Sequence, residues 1–257
     1  MIAKLQTVVI DARDIVGLAA FYRDLAGWTE VEAVDDWIDL RTPDGYRVDF
    51  QLAPDHVPPQ WPDQAHPQQF HLDLRVPDID AAAEAAEKLG ATRLGGGETW
   101  HTLADPAGHP FDLCLNADDP TTTIYGVTLD CPDPRALAEF YANVLGMEIR
   151  YEADFGVLIG ADDQGQLMFQ KVEGYNPPQW PDPAHPQQFH LDLDVTDIDE
   201  AEPQVLALGA TRLPGGGQTF RVYAAPAGSG RRWSAAGPVS RGRDAAGVTG
   251  AGWRSGE

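Results

Sequence analysis

Apolar and polar side chains alternate in two-residue steps along most of the first 117 residues, and two stretches at helical spacing interrupt that rhythm. Residues 5–11 alternate and are β-branched at Val8, Val9 and Ile10, which predicts a strand. Asp14 opens a segment with Leu18, Phe21, Tyr22 and Leu25 on one helical face, stopped by Gly27. Three short strands are predicted near 28–33, 36–41 and 46–52, with Pro43-Asp44-Gly45 turning the chain between the last two. A proline-rich connection from Pro54 to Pro67 leads into a strand over 69–76. Asp78 caps a second, alanine-rich helix ending at Leu89-Gly90, and strands follow near 91–94, 99–104 and 110–115. The order is βαβββ, given twice.

The whole pattern then recurs. Pro58 to Asp80 returns as Pro177 to Asp199 with 20 of 23 positions identical, at an offset of 119 residues. The same offset carries Phe21-Tyr22 onto Phe140-Tyr141, Gly27 onto Gly146 and Phe50-Gln51 onto Phe169-Gln170. In the second copy the first helix opens on Asp133-Pro134, an N-cap followed by proline at the first helical position. A period this long belongs to a duplicated domain, not to a solenoid of 20 to 50-residue repeats. The expected fold class is α+β, with one module over 1–117 and a second over 118–228.

Alternation also sorts polar residues onto shared faces. In the strand over 69–76, Phe70, Leu72, Leu74 and Val76 take one side, and Gln69, His71, Asp73 and Arg75 the other. Asp49 and Gln51 oppose Val48, Phe50 and Leu52; Asp112 and Cys114 oppose Phe111, Leu113 and Leu115; Thr7 and Asp11 stand out on the first strand. If each sheet curls with its apolar face against the helices, these polar positions converge on a concave side. A sheet face that merely meets water alternates in the same way.

The helix endings FYRDLAGW and FYANVLGM, the HLDLRVPDIDAA strand-to-helix junction and the turn DPAGHPFDL together resemble the vicinal oxygen chelate superfamily, the group of glyoxalases, bleomycin-resistance proteins and extradiol dioxygenases. The resemblance spans residues 5–116 and 124 to about 228. It implies that each module is a pair of βαβββ units curling into an incomplete barrel around a cavity. It also implies a divalent metal held by side chains on four inward-facing strands, chelating two adjacent substrate oxygens while a carboxylate moves a proton.

Carried over position by position, the resemblance places His71 at the fifth-strand histidine and Asp112 at the eighth-strand carboxylate. Thr7 stands where a first-strand histidine is usual, and Asp49 or Gln51 falls at the fourth strand. The implied metal set is therefore His71, Asp112 and Gln51, with Asp112 and Asp49 as proton-moving carboxylates. Fe, Mn, Zn, Ni or Mg are the candidate ions, though one histidine with oxygen donors suits a weak oxygen-rich site better than tight zinc or nickel. Asp73, Gln170 and His190 join as ligand contacts, and so do Trp61 and Trp180, each inside PPQWPD. These tryptophans would stack on a planar ligand or serve as proline-flanked anchors. In the second copy Gly126 replaces Thr7 and Met168 replaces Asp49, and the last strand is not recognisable. Residues 225–257 hold five Arg, two acids and eight Gly without alternation, so 229–257 is expected to be a disordered Gly/Arg/Ala-rich tail.

A formal charge of −22 opposes binding to phosphate backbones or anionic lipid, so neither nucleic acid nor membrane is an expected partner. That charge is concentrated in residues 1–224, with 38 acids against 13 bases. Two cysteines, Cys114 and Cys131, cannot staple a chain of this length and fit a reducing, cytoplasmic setting. Tandem modules mimic within one chain what single modules make as pairs, so a monomer or homodimer is expected. Two functions follow: a glyoxalase-like lyase, isomerase or dioxygenase acting on a small oxygenated metabolite, or a metal-free protein that sequesters a cationic or aromatic antibiotic. The missing first-strand histidine favours weak metal binding or none.

Overall fold

Most of the predicted strands bury an apolar half against the helices. In the computed structural model, which describes residues 1–179, 182, 185–226 and the backbone of 232–236, unit 1 runs β1 (Lys4–Ala12), α1 (Ile15–Ala26), β2 (Thr29–Val34), β3 (Trp37–Arg41) and β4 (Arg47–Leu52). Unit 2 runs β5 (Phe70–Val76), α2 (Ile79–Lys88), β6 (Thr92–Gly96), β7 (Trp100–Ala104) and β8 (Pro110–Leu115). Unit 3 comprises β9 (Thr123–Cys131), α3 (Pro134–Leu145), β10 (Glu148–Ala153), β11 (Gly156–Ala161) and β12 (Gly165–Lys171). Unit 4 comprises β13 (Phe189–Asp194), α4 (Ile198–Ala207), β14 (Thr211–Arg212), β15 (Phe220–Ala224) and β16 (Arg232–Ala236).

The helix ends follow the residues read as caps. Asp14 accepts from the Gly17 amide at 2.8 Å, and Gly27 closes α1 at φ +69°, where only glycine is unstrained. Asp78 accepts from the amides of Asp80 and Ala81 to open α2. Behind the sheets, Tyr22 stacks on Trp28 at 5.0 Å and Phe21 meets Phe111 edge-on at 5.8 Å. The Tyr22 hydroxyl donates to the buried Asp105 carboxylate at 3.0 Å. Units 1 and 2 thus share one core back to back.

The sheets themselves are built differently from the sequence modules. Sheet A has the order β14-β15-β16-β13-β1-β4-β3-β2, and sheet B the order β10-β11-β12-β9-β5-β8-β7-β6. The α+β class and the tandem duplication hold, but each curled, open sheet joins one unit from each module: unit 1 with unit 4, and unit 2 with unit 3. The seams are antiparallel, β1 with β13 and β5 with β9. This corrects the expectation of one barrel per module. The reason lies in the connections: the two long proline-rich segments, between β4 and β5 and between β12 and β13, each carry the chain from one sheet to the other, whereas the short β8–β9 link stays within sheet B.

The two crossings grip each other where they enter their strands. The Gln69 amide donates to Gln188 Oε1 at 3.1 Å and the Gln188 amide to Gln69 Oε1 at 3.0 Å. Gln69 Nε2 donates to the Pro186 carbonyl and Gln188 Nε2 to that of Pro67, both at 2.8 Å, and Phe70 stacks on Phe189 at 4.4 Å.

A further correction concerns the C-terminal end. Strand β16 lies inside the segment expected to be a tail, parallel to β13 and antiparallel to β15, so the eighth position of sheet A is filled. The rest of that segment lies outside the described residues.

Candidate functional site

On the concave face of sheet B, the alternation of β5 buries Phe70, Leu72 and Leu74 and turns His71 and Asp73 the other way. Register brings Asp112 of β8 beside Asp73, and Thr128 of β9 beside His71. His71 Nε2 stands 3.8 Å from Asp73 Oδ1 and 4.0 Å from Asp112 Oδ2. Among the described residues these three form the one group whose histidine and carboxylate donors all lie within 4.8 Å of one another. Above them opens a cavity of about 280 Å³, lined also by Gln68, Thr102 and Gln170 and flanked by the half-exposed Trp61 and Trp100.

The surroundings tune this cluster. Gln68 Nε2 donates to Asp130 Oδ2 at 2.9 Å and lies 3.1 Å from His71 Nδ1. The Thr128 hydroxyl donates to Asp73 Oδ2 at 2.5 Å. Burial pushes the Asp73 carboxyl above its usual range, against the pull of His71 and Thr128, and nearby Asp112 adds to the rise. The Cys114 thiol is pushed up to about 12, first by burial and then by Asp73 and Asp112, so it is no thiolate. Arg75 is drawn over the Tyr125 ring, its guanidinium carbon 4.0 Å from the centroid.

The structure brings His71, Asp112, Asp73, Gln170 and Trp61 to sheet B. It does not bring Asp49 or Gln51 to them, because β4 lies beside β1 in sheet A. Gln51 therefore cannot complete a ligand set with His71 and Asp112, nor can Asp49 serve that centre. Both belong with His190, which β13 delivers to sheet A and whose Nε2 lies 3.4 Å from Asp192 Oδ1. Trp180 lies outside the described residues. Gln68, Thr128 and Trp100 were missed from the sequence. A glutamine three residues before histidine in both copies, Gln68 and Gln187, was the available signal.

Sheet A carries a different electrostatic arrangement. Arg47 Nε lies 2.9 Å from Asp39 Oδ2 and 3.1 Å from Asp49 Oδ1, all three side chains being nearly excluded from solvent. Burial pushes the Asp49 carboxyl up to about 8; Arg47 opposes the rise, while Asp39 and Asp192 add to it.

The chemistry of sheet B's cluster suits a divalent ion. Ligand bonds of about 2.1 Å set neighbouring donors roughly 3.0 to 3.4 Å apart, so the His71–Asp73 and His71–Asp112 pairs need to close by about 1 Å or less. One imidazole and two carboxylates favour a hard or borderline ion and leave positions open toward the cavity. Ligation through Nε2 puts the ring proton on Nδ1, which requires the Gln68 amide to turn its oxygen there and give up its bond to Asp130 Oδ2.

Two halves of a curled βαβββ sheet around a polar concave face define a glyoxalase-type protein. The family model described as Glyoxalase-like domain matches residues 7–114 and again 126–231, and the chain belongs to that family. Glyoxalase I from Zea mays is similar in structure at 17% identity, with 91% of this chain and 92% of that one covered and a TM-score of 0.67. A putative dioxygenase from Bacillus subtilis is similar at 12% identity, covering 92% of this chain and 85% of that one with a TM-score of 0.59. No curated protein sequence matches the chain significantly. Among the described residues, no helix is long and apolar enough to cross a membrane.

Proposed function

We propose that the sheet B cavity binds a small oxygenated metabolite with the help of a divalent metal ion held by His71, Asp73 and Asp112. The observation that carries this reading is the convergence of those three donors beside a cavity that His71 and Asp112 line. When bound, such an ion polarises a substrate carbonyl or hydroxyl oxygen. The chain's own groups do the rest. Trp61 and Trp100 flank the substrate and limit water, Gln170 and Thr102 offer it hydrogen bonds, and Thr128 fixes Asp73.

Metal analysis by mass spectrometry on untagged, metal-reconstituted protein tests the reading. One ion per chain is expected, with at least a tenfold loss of affinity in His71→Ala and Asp112→Asn. Equal metal content in wild type and both variants would sink it.

A second reading, metal-free capture of a cationic aromatic ligand, is favoured by the pairing of two mouth tryptophans with acidic groups that no lysine or arginine bridges among the described residues. Thermal shifts by cationic aromatic compounds that persist in excess chelator would mark this reading instead.

A further inference from the structure

The duplication allows the two concave faces to be compared position by position. In both, a glutamine amide sits between a histidine Nδ1 and an aspartate of the seam strand. Gln68 joins His71 and Asp130, and Gln187 joins His190 and Asp11 at 3.2 and 2.8 Å. In both, a strand aspartate stands two residues after the histidine, at 3.8 Å in sheet B and 3.4 Å in sheet A. The imidazole and its supports are therefore common property.

Three positions on the adjoining hairpin differ together. Sheet A has Asp39, Arg47 and Asp49, where the repeat offset puts Leu158, Gln166 and Met168 in sheet B. Register confirms the equivalence, since Asp39 faces Asp49 across β3–β4 just as Leu158 faces Met168 across β11–β12. The hairpin of sheet A thus holds two carboxylates together with a guanidinium where that of sheet B holds none of the three, while Asp112 of sheet B, opposite Asp73, is answered in sheet A by Ser234 opposite Asp192. Arg47 is only 11% exposed and serves both acids through Nε, while its Nη2 is buried with no hydrogen-bond partner. The buried guanidinium sits against both acids, and it repels a second cation over the few ångströms that separate the groups.

We propose that Arg47 is a built-in counter-cation that takes the place of a divalent metal in sheet A, so that the chain holds one metal ion, in sheet B. This rests on the metal reading of sheet B, and the test separates the two. Equilibrium dialysis of the full chain against Mn²⁺ at 0.15 M salt should give one ion per chain for wild type and for Arg47→Lys. Arg47→Gln, which installs the residue sheet B already carries, should bind two, and adding His71→Ala to it should return the count to one.

A folded Arg47→Gln variant that still binds as many ions as wild type would overturn the proposal. So would a wild type that binds two, which leaves the sheet B reading standing. A wild type that binds none while Arg47→Gln binds one would support Arg47's role and defeat the sheet B reading. Should Arg47→Gln not fold, wild-type histidine NMR decides. Substoichiometric Mn²⁺ should broaden His71 and leave His190 sharp, and equal broadening of both would refute the assignment.

Discussion

His56, on the first crossing, faces His109, the ring centroids 4.7 Å apart, and both are almost fully buried. His56 Nε2 donates to the Ala107 carbonyl at 3.1 Å and His109 Nε2 to that of Asp11 at 2.9 Å. Burial lowers both to about 4; the facing His109 and Arg13 lower His56 further, with the Ala107 carbonyl and Asp105 pulling the other way, and the Asp11 carbonyl alone opposes the fall at His109. Between pH 6.5 and 4 the unfolded chain takes up protons that the folded one refuses, so these rings remove stability as pH falls. Asp105 acts in the opposite sense. Burial raises it to about 7 despite hydrogen bonds from His109, Tyr22 and Ala107, so its ionisation removes stability as pH rises through that window. His109→Gln keeps a donor for Asp11 and deletes one titration. Relative to wild type it should lose about 2 kcal/mol less stability between pH 6.5 and 4.5, read by urea denaturation at both pH values; parallel losses would refute the burial argument.

At the level of elements, the crossings do what the repeated sequence could not announce. Gln69 and Gln188 exchange four hydrogen bonds with each other's segment, so each is held by the other. Gln69→Ala and Gln188→Ala should each cost roughly 1 to 3 kcal/mol, and a double-mutant cycle should show coupling above about 0.5 kcal/mol. Strict additivity in chemical denaturation would show the two crossings to be independent. Element boundaries in units 1 and 2 were legible because alternation and capping are local. The partner of each strand was not, since alternation tells which face a strand buries and says nothing of its neighbour. Gln51 and His71 therefore looked like members of one ligand set, although the crossing between them moves the chain to another sheet. The polar face of β5 did reveal His71 and Asp73. Arg47 escaped notice because its contact with Asp39 runs diagonally across the β3–β4 hairpin, where the register pairs Asp39 with Asp49 and Arg47 with Arg41. Strand β16 was invisible because the alternation of RWSAA is too short to stand out from the Gly- and Arg-rich sequence around it.

At the scale of the whole molecule, both concave faces straddle the two modules while the apolar backs of units 1 and 2 pack within one. A fragment of residues 1–117 would keep that core and expose β1 and β5 as unpaired edges. It should associate as a twofold dimer, β1 of one copy against β5 of the other, because β5 shares FHLDL with the strand that β1 normally meets. Light scattering after size-exclusion chromatography would show about twice the fragment mass; a stable monomer would argue against seam-driven assembly.

The sheet order also sets a timetable for synthesis. β1 leaves the ribosome well before its true neighbour β13, which follows nearly 180 residues later. Throughout that interval the nascent chain already carries a decoy, β5, spelling the same FHLDL. Correct pairing therefore depends on unit 3 arriving in time to claim β5 for itself, which makes the middle of the chain the guardian of its two ends.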